Sequence, residues 1–347
     1  MFDVGAAGIR AAQAQTRGGQ ALIRDALRID LPAATNDTTE SPDCGRLARI
    51  LAQGRFRGAG VGLVLSTPEA QFHALQAPPG LLATSPEKVQ EALRWEIARE
   101  TRTEPEELEA RYWRLPPGHR EGLNVMGVSV SAPLMRQWAE AFAAQDLELR
   151  RVDTAPCALA RAALRAAPPE ARTVWSVVDL GHRRTTIVVL VGDTPVYVRA
   201  AAISSQDWTR RIAEAFQVSE TEAEQIKREI GIQRAERGLR SSPGAGDPRL
   251  SRDLPGLVFN VLRESLDSLV QTVRMCLSYA LESYADAAAE RVVLVGGGVE
   301  LPGLADYLAM FLDLDTRVLS TGPDAPNRMD SVSAAAVGAA LLDLEAQ

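Results

Sequence analysis

Two apolar, β-branched runs separated by one short polar turn form the clearest pattern in the chain. The runs span residues 174–178 and 185–191, and Asp179 and Gly181 stand between them. Runs of this length on both sides of a tight turn are typical of a β-hairpin, which we predict over 173–191. Glycine lets the backbone adopt a positive φ and come close to a ligand. An acid at a strand end before such a turn could hold Mg²⁺ against a phosphate, although an ordinary hairpin has the same pattern.

The start of the chain repeats this arrangement. Asp3 and Gly5 stand at the end of a short apolar segment, and the small residues Ala6, Ala7 and Gly8 follow them. A second strand is predicted at 21–23, and the first strand is expected to be short or to lack its beginning. Two acid–glycine hairpins, half the chain apart, predict two related halves that close on one ligand.

A third glycine-rich turn lies near the end of the chain. The apolar run 292–295 leads into Gly296, Gly297 and Gly298, and an apolar helix is predicted after Gly303. A buried strand that ends in glycines allows the backbone to approach a flat ligand such as adenine. Three such turns in this order favour a ligand site over three unrelated loops.

Short apolar runs alternate with helical patterns in the rest of the chain, which is typical of an α/β fold. Strands are predicted at 61–66, 71–76, 112–113, 123–130, 147–152 and 196–198. Helices are predicted at 47–51, 86–100, 132–144, 156–167, 207–216, 219–229, 255–288 and 331–344. The segments 32–44, 168–169 and 237–254 are rich in turn-forming residues and are predicted to be loops.

The helix predicted at 219–229 carries a candidate ligand pair. Ser219 and Glu222 have the spacing of a capping box, which marks the start of a helix. Glu224 and Lys227 then lie one turn apart, so both could reach one ligand. On the residues alone, a surface ion pair worth well under about 1 kcal/mol is the favoured interpretation.

The composition excludes several classes of protein. The chain has 347 residues and a net charge of −7, so nothing in its overall charge attracts nucleic acid or anionic lipid. Its three cysteines are far apart and lack metal-ligand spacing, which fits a reducing compartment. We find neither a signal peptide nor an apolar run of the roughly 20 residues that a membrane span needs. A soluble intracellular protein is therefore expected.

The two acid–glycine hairpins and the later Gly-Gly-Gly turn resemble the actin, Hsp70 and sugar-kinase ATPase superfamily. Within it, the sequence is most similar to the PilM family of actin-like type IV pilus assembly proteins, which is related to FtsA. The narrower similarity rests on DVGAAGIRAAQ (3–13), EALRWEIARE (91–100), VSETEAEQIKREIG (218–231) and VVLVGGGVELPGLADYL (292–308).

The resemblance implies an actin-like, or ribonuclease H-like, two-lobed α/β fold with a small αβ insert in the first lobe. The expected subdomains are a first core (1–60 and 131–168), the insert (61–130), a second core (169–204 and 291–347) and a helical nucleotide-side subdomain (205–290). The residues expected at the cleft are Asp3, Gly5, Ala6, Ala7, Gly8, Arg10, Asp179, Gly181, Thr185, Thr186, Glu224, Lys227, Gly296, Gly297 and Gly298, with Asp3 and Asp179 as the metal pair.

Two departures from the superfamily pattern bear on catalysis. Nucleotide-binding members usually have Ser or Thr in the first hairpin, where this chain has Ala6 and Ala7. Hydrolysing relatives often carry an acid directly before the proline that begins the crossing helix, and here Ala155 precedes Pro156, with Asp153 two positions earlier. Loss of a group that positions water lowers the rate far more than it lowers binding. Weakened ATP and Mg²⁺ binding with slow or absent hydrolysis is therefore expected.

The resemblance also implies a role and a partner. The role is that of a cytoplasmic scaffold in the inner-membrane assembly platform of a type IV pilus or a related type II secretion system. The partner is a PilN-like membrane protein, whose short cytoplasmic N-terminal tail binds between the first core and the insert. A carbohydrate kinase of the same superfamily is the alternative, but it needs a catalytic base and a polar substrate loop that we do not find. An FtsA-like membrane filament would need an amphipathic C-terminal anchor, and AALLDLEAQ is short and acidic.

Overall fold

The computed structural model describes residues 1–5, 8–17, 20–30, 56–58, 60–169, 172–232, 254–320 and 333–345. Ala6, Ala7, the predicted loop 32–44, the predicted helix 47–51 and nearly all of the loop 237–254 lie outside the described residues. Among the described helices, none is both long enough and apolar enough to cross a membrane.

The elements follow the predicted α/β alternation. The strands are β1 (Phe2–Gly5), β2 (Gly8–Arg17), β3 (Gln20–Asp30), β4 (Gly60–Leu65), β5 (Ala70–Leu75), β6 (Leu108–Arg114), β7 (Val125–Ser131), β8 (Glu148–Thr154), β9 (Thr173–Leu180), β10 (Thr185–Val191), β11 (Thr194–Ala201), β12 (Ala288–Val295) and β13 (Asp315–Val318). The helices are α1 (Pro79–Leu82), α2 (Pro86–Thr101), α3 (Ala132–Ala143), α4 (Ala155–Ala166), α5 (Ser205–Phe216), α6 (Glu220–Glu229), α7 (Leu254–Ser283), α8 (Leu304–Leu312) and α9 (Ala334–Glu345).

Two five-stranded sheets share one topology. The first has the order β3-β2-β1-β4-β8, and the second has the order β11-β10-β9-β12-β13. In each sheet the first three strands form an antiparallel meander, and the other two run parallel to the first strand. The hairpin predicted over 173–191 is confirmed as β9–β10, and the prediction of two halves built on one plan is confirmed as well.

The first sheet differs from the prediction in its second and third strands. A strand was expected at 21–23, but β2 begins at Gly8, directly after the first turn, and β3 extends from Gln20 to Asp30. Both strands carry charged residues, and Arg10 and Arg28 interrupt their apolar positions. Period-two alternation with charges on one face is a weaker signal than a continuous apolar run.

Both faces of each five-stranded sheet are apolar. Helices α4 and α9 lie between the two sheets and cover one face of each. On the first sheet, Phe2, Ile9 and Leu63 pack on α3, while Ala12 and Val64 on the opposite face pack with α4 and α9. The corresponding face of the second sheet carries residues such as Trp175, Val188 and Val293 and joins the same cluster. We call the faces that meet α4 and α9 the inner faces.

The position of α9 corrects an expected boundary. The segment 291–347 was assigned to the second core, but α9 packs against α4 and against strands β1 to β4 of the first sheet. Helix α4 in turn contacts β9, β10 and β11 of the second sheet. The small side chains of both helices permit this close crossing, in which Gly338 faces the backbone of Ala158.

The insert begins later in the chain than expected. The strand β4, which the prediction placed in the insert, pairs with β1 and β8 in the first sheet. The insert has its own antiparallel sheet, in the order β5-β7-β6, with α1 and α2. It also contacts the second half of the chain, where Trp113 Nε1 donates a hydrogen bond to the Pro195 carbonyl at 2.8 Å.

Helices α5, α6 and α7 cover the other face of the second sheet. Ser219 and Glu222 form the predicted capping box at the start of α6. The apolar stripe predicted on α7 is confirmed, because all eight of its residues are buried. They are Val258, Leu262, Leu266, Leu269, Val273, Cys276, Leu277 and Ala280.

Candidate functional site

Asp3 and Asp179 hold the same place in their two sheets. Asp3 lies in register with Val64 of the parallel strand β4, and Asp179 lies in register with Val295 of β12. Val64 and Val295 belong to the inner faces, so both carboxylates point to the space between the sheets. The structure therefore brings together the two acids that the sequence predicts as a pair.

The two carboxylates are close enough to influence each other. Burial and, to a smaller extent, the negative charge of Asp3 raise the pKa of Asp179 to about 6, against the opposing charge of Arg10. Burial also raises the pKa of Asp3, although the nearby Arg10 opposes this. Arg10 Nη1 lies 3.5 Å from Asp3 Oδ2. Acidic side chains that are held close together and have raised pKa values are typical of functional sites, and a cation between them would relieve their repulsion.

The first hairpin holds the guanidinium of Arg10 over its turn. Gly5 and Gly8 pair across the turn, and Asp3 and Arg10 pair two residues further along the strands. A Cβ atom on Gly5 would lie 2.8 Å from Arg10 Nη1, so a larger side chain would displace the guanidinium. Arg10 Nε is buried and makes no hydrogen bond. Ala6 and Ala7 belong to this turn in the sequence but lie outside the described residues.

The threonine hydroxyls of the second hairpin form hydrogen bonds with other groups of the protein. The Gly181 amide donates to the Arg184 carbonyl and closes the turn at 3.0 Å. Thr185 Oγ1 donates to the Ile203 carbonyl at 2.8 Å. Thr186 Oγ1 lies 3.0 Å from Thr67 Oγ1, in a buried hydrogen bond that joins the two halves of the chain. Thr186 also pairs with Asp179 across the hairpin, so this bond lies beside Asp179.

The three glycines of the third turn have different surroundings. Gly296 has a φ of +88°, and a Cβ there would lie 2.3 Å from Asp179 Oδ1. A Cβ on Gly298 would lie 2.9 Å from the Leu180 side chain. Gly297 has no atom within 4 Å of the equivalent position. Gly296 and Gly298 are thus needed for packing against the second hairpin, and Gly297 is the glycine that faces open space.

Glu224 and Lys227 lie together, as predicted, but their charges are used inside the protein. The Lys227 ammonium is 1% exposed and lies 2.6 Å from Glu224 Oε2. It also donates to the Ser205 carbonyl, to Ser205 Oγ and to Thr209 Oγ1. Burial acts to raise the pKa of Glu224, but Lys227 and the hydrogen bonds that Glu224 accepts outweigh it and lower that pKa to about 2. The pair therefore holds α5 against α6, and its ammonium is not directed to a ligand.

Asp153 is not available to orient an attacking water. Its Oδ1 accepts from the Thr154 amide at 2.7 Å, and its Oδ2 accepts from Arg161 Nη1 at 2.8 Å. Arg161 Nη1 also donates to the Gly338 carbonyl at 2.9 Å, so this ion pair ties α4 to α9. Ala155 has no carboxylate to take its place.

Four cleft residues were missed by the sequence reasoning. Arg28 Nη1 lies 3.7 Å from Glu300 Oε1, and Arg228 Nη1 lies 3.2 Å from Glu300 Oε2. Thr67 forms the bond to Thr186 described above. Arg28 stands between the apolar residues Leu27 and Ile29, so alternation along β3 would have placed it on the inner face. The other three depend on contacts between distant segments.

Some of the groups at this site are suitable for binding a nucleotide with Mg²⁺. Two half-buried carboxylates and nearby guanidinium groups are suitable partners for Mg²⁺ and phosphate, since Mg²⁺ keeps several waters and takes few protein ligands. Among the described residues, no group of three or more His, Cys, Asp or Glu could hold a metal by itself. The metal would therefore depend on Asp3, Asp179, water and the phosphates of the ligand.

Comparison with solved structures identifies the fold. The chain matches a chain of the PilM-PilN type IV pilus biogenesis complex with a TM-score of 0.76 and 21% identity, covering 99% of this chain and 97% of that one. It matches MreB5 of Spiroplasma citri bound to ADP with a TM-score of 0.56 and 12% identity, covering 99% and 95%. The same MreB5 bound to AMPPNP gives a TM-score of 0.54 and 11% identity with the same coverage. The chain has the actin-like fold.

The actin-like assignment also has support in the sequence. Residues 176–338 match the family model of the cell division protein FtsA. No curated protein matches the chain in sequence. The resemblance that the motifs indicate is thus confirmed. The fold supports it over the whole chain, and the FtsA family model supports it in sequence over residues 176–338.

Proposed function

We propose that this actin-like chain is a nucleotide-responsive scaffold in the inner-membrane assembly platform of a type IV pilus or a related type II secretion system. The observation that supports it most is the convergence of Asp3 and Asp179 from equivalent positions in two duplicated sheets. The similarity to the PilM-PilN complex extends over the whole chain, the insert included. The protein would lie in the cytoplasm and reach the inner face of the membrane through its partners.

The cleft would take ATP or ADP. Asp3 and Asp179 would hold Mg²⁺ through its waters, the first turn would meet the phosphates, and the open face of Gly297 would meet the base. The bound Mg²⁺ would neutralise phosphate charge. Glu224 and Lys227 would contribute by positioning α5 and α6, since both groups are engaged within the protein.

Hydrolysis is expected to be slow, at turnover well below about 1 per second. Ala155 lacks a carboxylate, and Arg161 holds that of Asp153. Release of phosphate from ATP, measured under saturating Mg²⁺, checks this expectation. Turnover at or above about 1 per second would show that another group orients the water. The same pairing of Asp153 disfavours the carbohydrate kinase alternative.

The partner would be the cytoplasmic N-terminal tail of a PilN-like membrane protein. A cavity of about 430 Å³ lies where the insert, α4 and the β10–β11 turn meet. Trp113, Leu164, Arg165 and Pro195 are among its lining residues, and neither Asp3 nor Asp179 lines it. An apolar groove that carries both Arg165 and Asp193 suits an extended peptide with apolar and charged side chains.

The direct test is the binding of a synthetic tail peptide from the PilN-like protein of the same organism. We expect saturable binding by fluorescence anisotropy, and an affinity that changes when Mg-ADP is added, because α4 lines the cavity and contacts both sheets, so a nucleotide that shifts the two halves would also alter the peptide site. Leu164→Glu should abolish peptide binding, while Met310→Glu, at a surface residue that is 68% exposed, should not.

The outcomes of this test distinguish an error in the proposed role from an error in the proposed position of the peptide groove. If the peptide binds to the wild type and to Leu164→Glu alike, the role stands and the groove lies elsewhere. If neither the peptide nor any nucleotide binds, the proposed function is wrong.

A further inference from the structure

Arg10 and Arg28 lie side by side on the inner face of the first sheet. The strand register places Asp3 opposite Arg10 and Arg10 opposite Arg28, so the three side chains form one row across β1, β2 and β3. Like charges in directly opposed positions of neighbouring strands destabilise a sheet. Such a pair is retained at little cost only when anions lie against it, and Asp3 supplies a single carboxylate.

The second anion comes from the other half of the chain. Glu300 ends the 3₁₀ turn Gly297–Glu300, which begins at the open glycine Gly297. Its carboxylate lies 3.7 Å from Arg28, which is longer than a direct hydrogen bond, and both side chains are about one-third exposed. The contact is therefore a loose ion pair that joins the first sheet to the turn after β12.

Glu300 has a second cationic partner in Arg228 of α6, at 3.2 Å. If Arg28 turned to another anion, Glu300 would keep this shorter contact. If Arg28 exchanges Glu300 for another anion, the Glu300 carboxylate therefore keeps a cationic partner, so no charge is left unpaired.

Arg10 also has unused hydrogen-bonding capacity. Its side chain is 14% exposed, its Nε donor is buried without an acceptor, and its contact with Asp3 is 3.5 Å long. A buried donor without an acceptor costs free energy, which an incoming oxygen atom would recover. The unpaired Nε is an observation independent of the Arg28–Glu300 pair.

We propose that Arg10 and Arg28 together bind the phosphate groups of the ligand, and that Glu300 is the internal anion which these phosphates replace at Arg28. This inference rests on the proposed nucleotide site and assigns its phosphate contacts. Two planar guanidinium groups can each take two phosphate oxygens, which compensates for the hydroxyls that Ala6 and Ala7 lack. Release of Glu300 from Arg28 then leaves the turn Gly297–Glu300 held by Arg228, so occupancy of the site changes how this turn and α6 are tied to the first half.

The test compares three probes by calorimetry in the presence of Mg²⁺, namely ADP, inorganic pyrophosphate and adenosine. In Arg28→Gln, binding of ADP and of pyrophosphate is expected to weaken about tenfold or more, and binding of adenosine to stay unchanged. Arg24→Gln is the matched control, because it removes the same charge from an exposed position of the same strand. Arg28→Lys should recover part of the loss, and unchanged thermal unfolding checks that each variant folds.

Glu300→Gln is expected to change the affinity for ADP and pyrophosphate in the opposite direction. It removes the competing anion, so ADP and pyrophosphate are expected to bind severalfold more tightly, whereas a purely structural Arg28–Glu300 pair would give no gain.

The outcomes distinguish this inference from the function on which it rests. Equal binding of ADP by the wild type and by Arg28→Gln overturns the inference and leaves the nucleotide site standing. Binding of pyrophosphate that requires Arg28, with no added affinity for ADP and no binding of adenosine, supports the inference and contradicts a nucleotide site. Absence of all binding to the wild type overturns both.

Discussion

Gly338→Ala is expected to lower the free energy of unfolding by about 3 kcal/mol. Gly338 lies within α9, where alanine by itself would favour the helix by about 1 kcal/mol. The added Cβ, however, would lie 1.9 Å from the carbonyl oxygen of Ala158 and 2.7 Å from its carbonyl carbon. These are backbone atoms of α4, so relief of the clash requires the two helices to separate. Urea unfolding measures the effect.

Gly297→Ala is the matched control for this prediction. Gly297 has a negative φ and no atom near its missing Cβ, so its replacement should change stability by less than about 0.5 kcal/mol. Because α4 and α9 lie between the two sheets, separating them should also shift the sheets relative to each other. Gly338→Ala should therefore weaken ligand binding even under conditions in which the variant is fully folded. A Gly338→Ala protein as stable as the wild type would show that the helices do not cross at this point.

Asp179→Asn is expected to stabilise the protein at pH 7 and to impair its cleft. In the folded state, burial and the charge of Asp3 raise the pKa of Asp179 to about 6 from its usual 3.8. The folded protein therefore binds a proton more tightly than the unfolded chain does. The contribution of Asp179 to stability is therefore highest below about pH 4 and is lost as the pH rises through its folded-state pKa. Asparagine has no charge, so the variant avoids this loss.

The expected gain is about 2 kcal/mol at pH 7, and it should disappear near pH 4. Thermal unfolding across this pH range measures it. The affinity for Mg-ADP should fall about tenfold or more at the same time, because one of two carboxylates that would hold the metal is lost. A variant that is less stable than the wild type at pH 7 would show that the ionised Asp179 is already compensated within the protein.

The sequence was sufficient for the parts of the fold that depend on local patterns. The hairpin β9–β10 is a continuous apolar run on either side of a turn, and the capping box at Ser219 is a short motif. The repeated Asp-x-Gly pattern indicated the duplication that the two sheets show. Each of these signals is contained within a few residues, so no knowledge of packing was required.

The remaining features depend on which segments meet in space. The pattern of α9 shows that it is apolar but not which sheet it covers, and it covers the first. Strand β4 looks the same whether it pairs in the insert or in the core. The spacing of Glu224 and Lys227 allowed a ligand pair, but only the contacts to Ser205 and Thr209 show that the ammonium is buried.

The most direct test of a cleft shared by the two halves is a thermodynamic cycle on Mg-ADP binding, measured by calorimetry for the wild type, Asp3→Asn, Asp179→Asn and the double variant. If both carboxylates act on one bound ligand, each substitution weakens binding, and the double variant loses less than the sum of the two. A wild type that binds no ADP at concentrations up to about 1 mM, or single variants that bind it as tightly as the wild type, would contradict a cleft formed by both halves of the chain.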